Sequence, residues 1–170
     1  MTRSLAEETQ EPDPFLPLLQ DHEAFLERLK VLEGILDSMM TVKRATEADH
    51  AVLDETVRFF HEDLGRHFSL EEDLVLPSLE AKIGRYGTLV SVIAYEHDEI
   101  RREIVKFQEA REALASDPQA AIEELNRHGI FTIQFLWDHF RKERTSLFPT
   151  ARAELSQGEL ERIGDELGRR

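Results

Sequence analysis

His67-Phe68-Ser69-Leu70-Glu71, followed by Pro77, and His139-Phe140-Arg141-Lys142-Glu143, followed by Pro149, are two copies of one pattern. In each, a histidine stands four residues before a glutamate and ten before a proline, so the copies share ligand chemistry, helical register and a stop signal. A spacing of four puts both side chains on one face of a helix, one turn apart, with Cβ atoms roughly 5–6 Å from each other. An imidazole nitrogen and a carboxylate oxygen then reach the same point. That pairing of a neutral nitrogen with a hard anionic oxygen suits iron, zinc and manganese. Two such pairs facing each other, joined by further histidines, supply ligands for two ions, with each glutamate placed to bridge them.

The flanking sequence reads as helix on both sides of each copy. Phe15, Leu18, Leu19, Phe25, Leu26, Leu29, Leu32, Ile35 and Leu36 recur at intervals of three and four, which predicts an amphipathic helix from about residue 15 to 39. A second helix is expected from about Ala45 to Leu79, with Pro77 marking its end. Gly84 and Gly87 punctuate the next turn, and Leu89, Val92, Ile93, Ile100, Ile104 and Phe107 outline a third helix to about residue 115. Ser116-Asp117-Pro118 is a stop followed by a fresh start. The fourth helix runs from there to Leu147, closed by Pro149, and a short polar helix is expected from about Ala153 to Leu167. Four long helices with short connections predict an all-α, up-down-up-down four-helix bundle. The expected organisation is a flexible acidic tail over residues 1–13, the bundle over 14–150 and a helical extension over 151–170.

Two more histidines fall on the inward faces. His22, in Asp21-His22-Glu23, is surrounded at helical spacing by Leu18, Leu19, Phe25 and Leu26; His97, in Glu96-His97-Asp98, by Ile93, Ala94 and Ile100. A single histidine on an apolar face is more often a hydrogen-bonded core residue than a ligand. Here every long helix carries one, and two add a glutamate one turn later. His22 precedes His67 by 45 residues and His97 precedes His139 by 42, so the chain reads as two copies of one helical hairpin about a pseudo-twofold axis. Six polar groups buried at one level are costly unless something satisfies them. A pair of divalent cations does so most simply; an internal hydrogen-bond network without metal is the alternative. The candidate ligands are therefore His22, His67, Glu71, His97, His139 and Glu143. His61 is rotated about 120° from His67 and is expected to face a neighbouring helix or solvent, while His128 and His50 lie turns away along their helices. Glu72 is a supporting or surface position, with Arg144 in its place in the other copy.

Composition narrows the function classes. With no cysteine among 170 residues, disulfides, thiolate chemistry and iron–sulfur ligation are excluded. A formal net charge of −14 argues against nucleic acid and anionic membranes, because phosphate backbones demand a basic patch. No apolar run approaches the ~20 residues of a membrane span, and MTRSLAEETQEPDPF lacks the basic-then-apolar pattern of a secretory signal. A cytoplasmic protein is expected.

The set Asp21-His22-Glu23, His67-Phe-Ser-Leu-Glu71-Glu72 with Leu-Pro77, Glu96-His97, and His139-Phe-Arg-Lys-Glu143 with Leu-Phe-Pro149 resembles the hemerythrin-like, or HHE cation-binding, family over about residues 14–150. The resemblance implies a four-helix bundle around a non-heme di-iron centre, two irons joined by carboxylates and an oxo or hydroxo group. By position it makes Glu71 and Glu143 the bridges and His22, His67, His97 and His139 the terminal ligands. The chain departs from oxygen-carrying members: they add a second histidine one turn from the third-helix ligand, where this chain has Ile93 and Arg101, and end in an aspartate five residues after the last histidine. A more symmetric site with an open iron position is implied, favouring reaction or sensing over oxygen storage. Tyr95 and Tyr86 are packing or surface residues, or else fill-in ligands.

The expected function is thus that of a metal-binding protein reacting with or sensing dioxygen, peroxide or nitric oxide, with zinc or manganese as alternative metals. Peroxide breakdown and nitric oxide reduction are the first activities to consider. The alternative is non-catalytic storage or delivery of iron or oxygen. The sequence names neither the electron donor nor a choice between monomer and homodimer.

Overall fold

The computed structural model describes residues 11–169, and among these every regular element is helical. Five helices follow in order: α1 (Leu16–Val42), α2 (residues 47–83), α3 (Leu89–Ala113), α4 (residues 118–154) and α5 (Gln157–Arg169). α1 packs against α2 and α4, and α3 packs against the same two.

Local chemistry sets the ends. Asp13 accepts a hydrogen bond from the Phe15 N–H at 3.0 Å just ahead of α1, and Pro17 sits in the first helical turn, where a missing N–H costs nothing. Thr46 and Asp49 open α2 with reciprocal side-chain-to-backbone bonds of 3.1 and 2.8 Å. Gly84 ends α2 at φ 77°, ψ 175°, a conformation that essentially only glycine adopts. Thr88 caps α3, and Asp117 with Pro118 opens α4.

Pro77 and Pro149 do not end their helices, contrary to expectation. α2 runs on to Ile83 and α4 to Glu154. The reason is a widened turn: Glu71–Val75 and Glu143–Leu147 are π-helical, and each proline sits in the first turn of the α-helical segment that follows. A proline inside an α-helix lacks an N–H and clashes with the carbonyl four residues back. The π-turn opens that spacing, so the helix continues. Both π-turns begin at the repeated glutamate, and such turns often mark functional positions. A third, Phe60–Leu64 in α2, has no copy in α4.

Two apolar clusters form the core. One gathers Phe25, Leu29, Leu32, Leu64, Phe68, Ile100, Phe107, Leu136 and Phe140; the other gathers Phe15, Leu18, Leu70, Val75, Ile93, Leu147 and Phe148. The predicted C-terminal helix is present and packs, burying Ile163 and Leu167 in the second cluster, while Gly164 lies close against Pro14. Of the predicted acidic tail, residues 1–10 lie outside the described residues; Asp13 pairs with Arg152 at 2.6 Å.

Candidate metal centre

Between the two apolar clusters lies a polar layer. His22 stands between Leu18 and Phe25, His97 between Ile93 and Ile100, and His139 and Glu143 between Leu136 and Leu147, residues that divide between the two clusters. All six sequence-predicted ligands meet here and are buried: His22 is 5% exposed, and His67, Glu71, His97, His139 and Glu143 are at 0%.

They form two overlapping sets. His22, His67, Glu71 and Glu143 offer one ligand atom each within 4.8 Å of one another, and so do Glu71, His97, His139 and Glu143. Both glutamates belong to both sets. Glu71 Oε1 lies 2.9 Å from His67 Nε2, and Oε2 lies 3.0 Å from His97 Nε2. Glu143 Oε1 is 3.2 Å from both His22 Nε2 and His139 Nε2. The His22 and His67 Nε2 atoms are 3.2 Å apart.

The donor set fits metal. Adjacent ligands about 2.1 Å from a common ion stand about 3 Å from each other, which is the spacing seen here. No hydrogen-bond partner satisfies either oxygen of Glu71 or of Glu143, or the Nε2 atoms of His97 and His139. Orphaned buried carboxylates are expensive, and divalent cations are the groups that satisfy them all.

What stands behind the imidazoles fixes which nitrogen faces the site. His67 Nδ1 donates to Asp21 at 3.0 Å, His97 Nδ1 to Glu72 at 2.8 Å, and His139 Nδ1 to Glu96 at 2.7 Å. With Nδ1 as donor, the Nε2 lone pair points inward, the arrangement of metal-binding histidines. Arg101 grips Glu72 through two bonds of 2.8 and 3.0 Å, and Lys142 bonds Glu96. Burial raises a carboxyl pKa, but the hydrogen bonds from His97 and Arg101 hold Glu72 down at about 2. Burial disfavours the charged ring, yet the Glu143 charge and the contacts with Glu143 and Glu96 push His139 up to about 9 in the absence of metal. His67 is likewise raised well above its ordinary value, against burial, by the Glu71 charge and by Asp21.

Sequence reading missed Asp21 and Glu96 as supports and left Glu72 undecided. The signal was an acid immediately before each lone histidine, which a helix turns 100° toward the neighbouring helix. The repeated phenylalanine was also unread. Phe68 stacks on His97 with ring centroids 3.9 Å apart, and Phe140 stacks on His22 at 4.3 Å, so each copy of the pattern steadies the lone histidine of the other hairpin. His61 faces Gln108 of α3 at 2.7 Å, and His128 is held by Glu103 and Glu124; with His50, in the first turn of α2, they stand outside both sets. Tyr86 and Tyr95 are exposed, at 92% and 61%, so neither fills a ligand position.

Helical scaffold and buried His/Glu layer together define a cation-binding domain. The model of the hemerythrin HHE cation-binding domain matches residues 16–151, and the chain belongs to that family. None of the curated proteins compared matches the chain. No helix among the described residues is long and apolar enough to cross a membrane.

Proposed function

We propose that this chain holds a non-heme di-iron centre, with His22 and His67 on one iron, His97 and His139 on the other and Glu71 and Glu143 between them, and that it reacts with or senses dioxygen, peroxide or nitric oxide. The up-down-up-down order of the four long helices belongs to the same reading, supported by their short connections and by four histidines at one level. One observation carries it: four buried carboxylate oxygens, without hydrogen-bond partners, stand among inward-facing imidazole nitrogens.

Two adjacent irons supply one-electron changes and a position for a small ligand. The chain's own part is to orient and to exclude. Asp21, Glu72 and Glu96 hold three rings in the tautomer that ligates, Phe68 and Phe140 stack the other faces, and the two apolar clusters keep bulk water out. Four surface cavities of about 300–1000 Å³ are lined by none of the six residues, and the burial of all six favours a diatomic or peroxide over an organic substrate. A cytoplasmic setting and a separate electron donor go with this reading.

Anaerobic purification with metal analysis, followed by oxygen addition, tests it. Two irons per chain and a new near-ultraviolet band are expected; one ion per chain, or zinc alone, would count decisively against it. Iron-dependent consumption of peroxide or nitric oxide over many turnovers separates catalysis from the alternative, storage or delivery, in which ligand is bound and released unchanged. Zinc and manganese suit the same donors, and the metal analysis distinguishes them.

A further inference from the structure

The six residues repeat by an approximate twofold, but what stands behind them does not. Asp21 precedes His22 as Glu96 precedes His97, and both acids support the histidine of the next helix, at 3.0 and 2.7 Å. The other supports break the symmetry in one direction. Glu72 follows Glu71, whereas Arg144 follows Glu143; Arg101 stands four residues after His97, whereas Leu26 stands four after His22; Lys142 stands three after His139, whereas Leu70 stands three after His67.

The consequences are geometric. His97 is clamped by Glu72, itself gripped by Arg101, whose guanidinium lies 5.5 Å over the ring of Phe68, the ring that stacks on His97. His139 is clamped by Glu96, in turn bonded to Lys142. Opposite them, exposed Arg144 cannot accept a hydrogen bond from His22, because a guanidinium has no acceptor. Among the described residues the polar contacts of His22 run through Nε2, to His67 and Glu143, and none through Nδ1, and Asp21 has no basic partner apart from His67. His22 is also the one residue of the six that keeps exposed surface.

We propose that the two metal positions are unequal: the position at His97 and His139 fills first and empties last, the position at His22 and His67 is the exchangeable one, and Glu72, Arg101, Glu96 and Lys142 are the positioning residues that make the difference. The proposal rests on the two-metal reading above. Rings already held in ligating orientation lose less freedom when the ion arrives, and losing one such support weakens metal affinity by about 10–100-fold.

Anaerobic titration of the full chain with ferrous ion, in competition with a chromophoric chelator, tests it. Two steps of one ion each are expected, with dissociation constants at least about tenfold apart. Glu72→Gln should weaken the tighter step and leave the weaker one in place. Arg144→Glu supplies the missing acceptor behind His22 and should tighten the weaker step, beyond what Arg144→Ala does by removing charge alone. Two equal steps, or a single step taking up two ions, overturn the inequality while leaving the two-metal reading intact. A total of one ion overturns that reading instead. Weakening of both steps alike by Glu72→Gln, or no tightening by Arg144→Glu relative to Arg144→Ala, refutes the assignment to these supports; should Glu72→Gln fail to fold, the Arg144 pair decides.

Discussion

Raising the pH should tighten metal binding steeply, because the metal-free site holds protons that an incoming ion must displace. His139 titrates at about 9 in the folded chain, where the carboxylates of Glu143 and Glu96 overcome the cost of burying a charged ring. At pH 7 that one proton lowers the apparent metal affinity by about 100-fold relative to the deprotonated ring, since each unit between pH and pKa is a factor of ten. His67 is also raised well above its ordinary value and His97 is raised as well, so filling both positions releases further protons. The expected slope is about tenfold in affinity per pH unit for each proton displaced, persisting to about pH 9. Zinc avoids redox complications, and calorimetry in two buffers of different ionisation enthalpy counts the protons directly. Affinity that stays flat between about pH 6.5 and 8.5, or binding without proton release, would show that the imidazoles are already neutral and refute the reasoning. The sign of the linked stability follows. A raised histidine pKa stabilises the metal-free fold fully below the unfolded value of about 6.5, and that contribution is lost as pH rises through about 9. The melting temperature of the metal-free chain should therefore fall across that window more than that of the loaded chain.

Other outcomes are open to direct measurement. Glu143→Gln, removing the charge of a carboxylate common to both sets, should reduce metal content from two ions per chain to one or none by elemental analysis; full occupancy would end its assignment as a bridge. Phe148→Ala removes a fully buried ring stacked on Phe15 at 4.9 Å, and should cost about 3–5 kcal/mol in denaturant unfolding. Its melting temperature should drop on the order of 10 °C; a loss below about 1 kcal/mol would mean that the stacked Phe15 and Phe148 rings contribute little to this end of the core. Gly84→Ala forces a side chain into a conformation at φ 77° and should cost about 1–3 kcal/mol, with metal content unchanged.

The sequence made the helical ligand faces legible because periodicity and ligand spacing obey the same 3.6-residue turn. His22, His67, Glu71, His97, His139 and Glu143 could each be placed on an inward face from neighbours three and four residues away. The supports were harder to see, because they act between helices. Asp21 and Glu96 point away from their own histidines toward another helix, and Glu72 acts on His97, 25 residues further along the chain. The two prolines misled for a different reason. Their rule assumes an α-helix, and the widened turns beginning at Glu71 and Glu143 suspend it. Once that is known, the ten-residue interval from histidine to proline can be read as one unit, a ligand pair and the loosened turn after it.

The division of the core into two apolar clusters bears on how any metal-dependent property should be controlled. Replacing the six layer residues together with leucine, phenylalanine and methionine of matched volume would fuse the clusters into one continuous hydrophobic interior. Such swaps of buried charge for apolar contact are often neutral or stabilising by about 1–4 kcal/mol. The result would be a scaffold that keeps the surface and helix ends of the native chain and needs no ion to hold its middle together. Any spectrum, ligand uptake or turnover that survives in that scaffold belongs to the helices; whatever disappears belongs to the layer.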